Sequence, residues 1–505
     1  MKTMIIIMTM VMMMMMMMMM MSVLLVLASG VHAEGSGAWE PSCHIGGDWS
    51  CVYERSRFFE NGSATQEVMV NSRKTLSYTQ GDVTFTGSYQ WFQPLINETV
   101  YETNVCAFEI WSSMDEPVAK CYDLEDATVF RVHFLDECTR YVAVFGEAYG
   151  VIPVEGSNAW IQTPSVGVKE CVKVQDATAS SPEEDTELEK EELEAVVDPD
   201  TSILLNWQPT CDVSGSYSMC PGNNEVMRYS QVEGVSTVNS FSGATVMYSQ
   251  PDVTFTISYS WYWKDELIEE EALCAFEIWS NMTSPSALCF DSVDNTEYQL
   301  YFVCDTDCGD CEMQMTFREA FGNVEVPEDF PWDWRQGPIA GTSACMEDTE
   351  SNDDDSDALA LITGGWQSTC DIGGDWTCTM RKRQANMLEK EILGTVKQTI
   401  VFSPDDVTFS ILYEWTWDSP YGEELIQETM LCAFKQWSDT LNPQAICADA
   451  IDSTLFTLQF ECDNDCGNCV LKEEYGEAFG HFEVPGIGWN WEQGAVAGVF
   501  ECVRE

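Results

Sequence analysis

From Val253 to Trp263 the chain alternates strictly. Val253, Phe255, Ile257, Tyr259, Trp261 and Trp263 fall on one side, and Thr254, Thr256, Ser258, Ser260 and Tyr262 on the other. A period of two over this length is a strand with one apolar and one hydroxyl-rich face, as one wall of an antiparallel sheet requires. Val407, Phe409, Ile411, Tyr413, Trp415 and Trp417 repeat the pattern, and "DVTFTGSYQWF" carries it in the first third. Other strand-like runs there are "WSCVYER", "QEVMVN", "TLSY", "ETNVCAFEIW", "VFRVHFL" and "YVAVFGEAY", separated by turns bearing Gly, Asn and Asp. No sustained 3.6-residue apolar pattern appears between them. The expectation is all-β: about eight antiparallel strands per unit, closed as a barrel or stacked as a sandwich.

The units are copies. "CAFEIWS" occurs at Cys106 and again at Cys274, and "CAFKQWS" at Cys432. Each copy opens on a cysteine pair ("CHIGGDWSC", "CDVSGSYSMC", "CDIGGDWTC") and closes on "FGEAYG", "FREAFGNVEVP" or "YGEAFGHFEVP". A period of about 160 residues is far above that of solenoid repeats, so each copy is read as a self-standing domain. The organisation expected is a leader (1–33), β domain 1 (40–172), an acidic linker (173–205), β domain 2 (206–346), a second acidic linker (347–364) and β domain 3 (365–505). The linkers "SSPEEDTELEKEELEAVVDPD" and "MEDTESNDDDSD" read as solvated spacers extended by self-repulsion.

The leader begins with Lys2, continues as an apolar run from Met4 to Leu27, and ends at "VHA". This is the pattern of a secretory signal cleaved after Ala33, although the run is long enough to serve as an anchor. No later stretch is apolar enough to span a bilayer as a helix. Twenty-two cysteines behind such a leader imply disulfides, and they divide evenly as six, eight and eight. Hairpin cross-links are expected at Cys106–Cys121, Cys274–Cys289 and Cys432–Cys447. Copies two and three carry an extra C-x3-C-x2-C ("CDTDCGDC", "CDNDCGNC"), of which copy one keeps only Cys138. Two cysteines missing together suggest two cysteines bonded together, read here as Cys304–Cys308 and Cys462–Cys466. Asn61, Asn97 and Asn281 stand in glycosylation acceptor motifs.

Composition narrows the partners. With 84 Asp and Glu against 23 Lys and Arg, the net charge is −61, a field that repels nucleic acid. The four histidines occupy non-equivalent positions in the copies, which leaves no repeated His-based catalytic or zinc site. CGDC and CGNC are followed by strand-like sequence, not by the helix N-terminus that activates a redox thiol. Recurrent acids (Glu147, Glu319 and Glu477; Asp82, Asp252 and Asp406) are what a glycosidase-like hydrolase would need if they paired across a cleft. Asp305, Asp307, Asp310, Asp463 and Asp465 crowd oxygen ligands around a glycine in cysteine-bearing turns, the donor set a calcium loop needs. Trp111, Trp279 and Trp437 fall on the pleat opposite Phe108, Phe276 and Phe434. That places them at the surface or at an interdomain seam, suited to stacking on a ligand.

Gly47-Asp48-Trp49 and Gly374-Asp375-Trp376, near the start of a β domain of this length, resemble the G-x-W opening of the lipocalins; copy two departs with Gly215-Ser216-Tyr217. The resemblance implies an up-and-down barrel whose mouth holds a small apolar ligand. The functional expectation is a secreted, acidic, non-enzymatic binding or matrix protein with tandem modules for multivalent binding. Its partner would be a small apolar ligand, a glycan, or a cationic or mineral surface. The competing expectation is an extracellular hydrolase.

Overall fold

The computed structural model describes residues 39–58, 64–93, 98–124, 128–147, 150–152, 160–162, 165–174, 201–219, 225–230, 234–238, 241–250, 252–263, 266–291, 296–306, 308, 311–319, 338–348, 366–404, 406–419, 422–450, 454–478, 480–483, 490–493 and 495–505. The leader, most of both linkers, Asn61 and Asn97 lie outside this set.

Barrel 1 is built from β1 (Gly47–Phe58), β2 (Ala64–Ser77), β3 (Thr84–Gln93), β4 (Glu98–Phe108), β5 (Val118–Asp123), β6 (Val129–Leu135), β7 (Arg140–Glu147) and β10 (Ser165–Lys173). A small hairpin, β8 (Gly150–Ile152) and β9 (Trp160–Gln162), is inserted before β10. Each barrel strand pairs antiparallel with its sequence neighbour and β10 closes on β1, so the barrel is an up-and-down meander.

Barrel 2 follows a four-residue helix, α1 (Ile203–Asn206). It comprises β11 (Gly215–Met219), β12 (Glu225–Ser230), β13 (Gly234–Val238), β14 (Phe241–Met247), β15 (Thr254–Trp263), β16 (Glu266–Phe276), β17 (Ser286–Asp291), β18 (Glu297–Cys304), β19 (Cys311–Glu319) and β20 (Ile339–Glu347). Its first wall is broken in two. Both β11 and β12 pair with β20, so the pair stands where β1 stands in barrel 1, and β13 with β14 stands for β2.

Barrel 3 has β21 (Gly374–Gln384), β22 (Ile392–Val401), β23 (Thr408–Ser419), β24 (Gly422–Phe434), β25 (Gln444–Asp449), β26 (Leu455–Cys462), β27 (Cys469–Glu477) and β30 (Val496–Arg504). A second hairpin, β28 (Gly480–Glu483) with β29 (Asn490–Gln493), precedes the last strand.

The alternation read in the sequence sets the interiors. Phe85, Phe255 and Phe409 point into their barrels and pack on Phe108, Phe276 and Phe434. Trp49 and Trp376 are fully buried, and each donates its Nε1–H to a backbone oxygen four residues back (Ile45 and Ile372, both 3.3 Å). Tyr217 fills the same place in barrel 2, its hydroxyl on Val213 O at 3.0 Å. The preceding glycine has φ of 121° at Gly47 and Gly374 and 159° at Gly215. At 121° a side chain is disfavoured, which explains the Gly-x-aromatic spacing.

The disulfides brace individual barrels. Cys106–Cys121, Cys274–Cys289 and Cys432–Cys447 link directly opposed residues of neighbouring strands, with Cα atoms 4.0–4.1 Å apart. Cys51–Cys171 and Cys378–Cys502 join first strand to last. The expected Cys304–Cys308 and Cys462–Cys466 bonds do not form. Cys304 bridges Cys311 and Cys462 bridges Cys469, because these residues face each other at the hairpin mouth. Cys308 and Cys466 lie in the turn with φ of 55° and reach back to Cys211 and Cys370. Cys138, at φ 57° and bonded to Cys43, is their counterpart. The two cysteines that copy one lacks do bond to each other; the retained one is the middle of the three.

The barrels are not beads on a string. Near the first strand of each, a carboxylate caps the start of the "DVTF" strand of another. Glu54 of barrel 1 accepts from Val253 N (3.4 Å) in barrel 2. Glu225 of barrel 2 accepts from Val407 N (3.0 Å) and Thr408 Oγ1 (2.7 Å) in barrel 3. Glu391 of barrel 3 accepts from Val83 N (2.7 Å), Thr84 N and Thr84 Oγ1 (both 2.8 Å) in barrel 1. Three head-to-tail contacts of one kind close a ring, as heterologous interfaces do when their rotation closes. The first threonine of the hydroxyl face (Thr84, Thr254, Thr408) is consequently buried in a seam rather than facing water. Residues 201–205, assigned above to a linker, also dock on barrel 1: Ser202 Oγ and Leu204 N donate to Glu170 Oε2 at 2.6 and 3.1 Å.

Where the barrels meet, one structural position supplies a ring and another makes room for it. Phe290 of barrel 2 lies over Gly146 of barrel 1, and Tyr122 of barrel 1 over Gly476 of barrel 3; a Cβ at either glycine would collide with that ring. In the third seam the sizes are exchanged. The position of Gly146 and Gly476 is Arg318, and that of Tyr122 and Phe290 is Ala448. Arg318 is fully buried. It donates Nη1 to the carbonyls of Cys447 (3.3 Å) and Phe456, and Nη2 to Glu297 (2.9 and 3.1 Å), which also binds Lys120 of barrel 1 at 3.0 Å.

The recurrent "CAFEIWS" supplies the remaining charges of these seams. Its Glu109 and Glu277, buried in barrels 1 and 2, both accept from Arg131. The third copy puts Lys435 at that position. Burial, reinforced by Arg131, pushes the Lys435 ammonium down to about 8, and Glu109 and Glu277 attract it. Two acids and two bases balance there, so the change from Glu to Lys in copy three is charge complementation.

Candidate ligand sites in the barrel lumens

Each barrel is plugged at the Trp49, Tyr217 or Trp376 end. One layer further along, the copies diverge. The strand registers align Lys74 with Ala244 and Gln398, each opposite a tyrosine of the long strand (Tyr89, Tyr259, Tyr413). They also align Lys169 with Ser343 and Phe500, opposite Ala143, Met315 and Glu473. Tyr89 donates to Asp123 at 2.7 Å and Tyr259 to Asp291, so barrels 1 and 2 share a buried Tyr–Asp pair.

In barrel 1 this layer is basic and aromatic. Lys74 and Lys169 are 4% and 7% exposed, and both ammoniums lie over Phe130 (5.1 and 4.6 Å to its centroid). Lys169 is also 5.3 Å from the Tyr89 ring and 5.2 Å from Phe145. Burial pulls Lys169 down to about 8 and drives Lys74 well below the ordinary lysine range, the second effect sharpened by Lys169 itself. In barrel 2 the positions of the two lysines are uncharged, Ala244 and Ser343, and Ile257, Ala272 and Met315 are buried beside them.

In barrel 3, Gln398 Nε2 donates to Glu473 Oε2 at 3.1 Å. The other oxygens of that pair, and the hydroxyl of Tyr475, are buried with no hydrogen-bond partner. The Tyr475 ring lies between Phe456 and Phe500, with centroids 5.6 and 4.6 Å away. Burial raises the Glu473 carboxyl to about 8, so it holds a proton at neutral pH. The unfolded chain releases that proton above pH ~4.3, and stability therefore falls as pH rises from there toward 8. Glu473→Gln is expected to stabilise the protein at pH 7 by about 2 kcal/mol and to flatten its stability profile between pH 5 and 8, as read by urea unfolding.

The structure scatters most of the sequence-derived candidates. Trp111, Trp279 and Trp437 are half-buried; Trp279 packs edge-on against His133 of barrel 1 (5.7 Å), and Trp437 stacks on Tyr301 of barrel 2 (5.7 Å, 18°). Two of the three are thus at interdomain seams. Asp463 accepts from Gly467 N (2.7 Å), Asn468 N and Asn468 Nδ2 (2.8 Å), which lowers its pKa and spends its oxygens on capping its own turn. Asp465 shares that turn, and Asp305 O accepts from Cys308 N at 3.1 Å; Asp307 and Asp310 lie outside the described residues.

The only His, Cys, Asp and Glu cluster tight enough for a metal among the described residues is Cys370, Cys462 and Cys469. Its sulfurs are all in disulfides and offer no thiolate. Asn281 is exposed, its Oδ1 accepting from Thr283 N and Oγ1 at 2.9 and 2.8 Å. The two sets of recurrent acids stand at opposite ends of each barrel. Asp82, Asp252 and Asp406 close turns at the plugged end, while Glu147, Glu319 and Glu477 sit at the far ends of β7, β19 and β27. Six residues of strand separate that end from the plug, about 20 Å. A polar cleft of about 690 Å³ lies outside barrel 1, lined by His44, Tyr78, Lys173 and, from barrel 3, Arg383 and Leu388. Its Arg383 is tied to Asp82 of barrel 1 by an ion pair of the seam (2.9 Å).

The fold and lumens define a class: a ring of three disulfide-braced, eight-stranded antiparallel barrels. No family model matches the chain, and no curated protein matches it.

Proposed function

We propose that this is a secreted, non-enzymatic binding protein that carries small ligands in its barrel lumens. The observation that carries the reading is the divergence of a single internal layer within an otherwise repeated frame: Lys74 and Lys169, Ala244 and Ser343, Gln398 and Phe500. Residues that only filled a core would be expected to stay apolar, because buried polar groups without partners cost stability. Three lumens of different chemistry favour three different small ligands over one multivalent partner. The disulfides and the absence of a membrane-crossing helix among the described residues fit an extracellular setting. The hydrolase reading is disfavoured by its recurrent acids standing at opposite ends of each barrel. Native mass spectrometry of the full-length secreted protein tests the proposal. Small molecules released on denaturation, and rebound by the stripped protein, are expected; a protein that carries none and binds none from a broad panel of acids, amines and neutral aromatics ends the reading.

A further inference from the structure

Resting on that reading, the geometry points to the ligand class of barrel 1: we infer that Lys74, Lys169 and Asn104 form a site for the carboxylate of a small organic acid whose apolar body lies against Phe130 and Phe145. Three buried donors of this layer are hydrogen-bonded to no acceptor, and the carboxylates of Asp123 and Glu102 reach the lysines only through space. Among the described residues neither lysine makes a hydrogen bond or ion pair; their close neighbours are aromatic rings. Asn104 is fully buried, and its Nδ2 has no partner. Its Oδ1 lies 3.6 Å from Cys106 Sγ, a bridged sulfur with no proton to give.

Lys74 and Asn104 are adjacent. A Cβ on Gly87 would stand 2.5 Å from Asn104 Oδ1 and 2.7 Å from Lys74 Cε, so the bare glycine opens the space both side chains use. One oxygen of a carboxylate can accept from both lysines while the other accepts from Asn104. A buried anion is tolerable in an apolar lumen when so paired.

The other groups facing this layer do not serve the lysines directly. Asp123 accepts from Tyr89 and acts through space on both lysines, and Glu102 acts on Lys169. Tyr53 is Lys169's neighbour on β1. A carboxylate arriving beside two ammoniums raises their proton affinity, so binding takes up protons. Binding should weaken as pH rises through about 8, where Lys169 deprotonates.

Calorimetry on the stripped full-length protein with benzoate, hexanoate and decanoate, and with the uncharged benzamide and hexanamide, tests this. At least one acid should bind more than about tenfold tighter than its amide, the difference a charge-assisted hydrogen bond carries. Lys74→Met with Lys169→Met should abolish that preference, whereas Gln398→Met in barrel 3 should leave it intact. A second readout separates ligand binding from a structural role. Removing two buried ammoniums without partners should leave the ligand-free double variant at least as stable as the parent in urea; lysines kept for packing would instead make it less stable, and that result overturns the inference. Equal affinity for acids and amides, or an unchanged preference in the double variant, also overturns it. If the protein binds amines or neutral aromatics but no acid, the carboxylate assignment falls while lumen binding stands; if it binds nothing, both fall.

Discussion

Glu297→Gln is expected to destabilise the protein by about 3–5 kcal/mol, measured as a lower urea midpoint with an unchanged slope. The magnitude follows from what the residue faces. Glu297 is 1% exposed and is the carboxylate to which both Lys120 of barrel 1 and Arg318 of its own barrel are bonded. Arg318 in turn holds two carbonyls of barrel 3, so this one carboxylate neutralises the point where all three barrels meet. The amide keeps shape and some hydrogen bonding but leaves two cations buried together. Burial alone would raise the Glu297 pKa, yet Arg318 and Lys120 hold it well below the usual carboxylate range. Its contribution is present above the unfolded pKa near ~4.3 and is lost as pH falls below that value. The parent should therefore lose stability on acidification more steeply than the variant. Equal acid profiles would show that the triad does not stabilise the ring.

Phe290→Ala should cost about 3–5 kcal/mol, the range for deleting a buried aromatic. Its ring is 4% exposed and rests on Gly146 of the neighbouring barrel. Gly146→Leu should cost about 1–3 kcal/mol through overpacking. In the double variant the new leucine occupies the volume the ring has left, so the two costs should fall short of their sum by 1 kcal/mol or more. Additive costs would mean that Phe290 does not pack across this seam. The natural third seam already carries the exchange, with Arg318 at the glycine position and Ala448 at the ring position. Seams of unlike size and charge give each interface one correct partner, which for three related barrels in one chain guards against misassembly.

Much of the architecture is local and was legible before any coordinates. Period-two alternation in the "DVTF" strands depends only on each side chain's parity, and parity fixes which face is interior. The direct cross-strand pairs Cys106–Cys121, Cys274–Cys289 and Cys432–Cys447 likewise depend on a short hairpin whose spacing is visible in the chain. The triplet cysteines were harder to read. Which of Cys308 and Cys311 faces Cys304 turns on one left-handed residue in the turn, and no composition rule reports it. Lys74 was hidden for another reason: its inward parity on β2 appears only once the register with Tyr89 is known.

What the amino-acid order settled by itself was the repeat, the strand parity and the all-β class, because all three arise between residues near in sequence. The ring was decided by tertiary structure alone. Its contacts join residues such as Glu391 and Thr84, or Lys120 and Glu297, whose adjacency no periodicity encodes. The meaning of the glutamate in "CAFEIWS", and of the lysine that replaces it, was decided there too. Charges that look solvent-facing on a single strand become buried partners when three barrels close around them, since burial, unlike parity, belongs to the assembly.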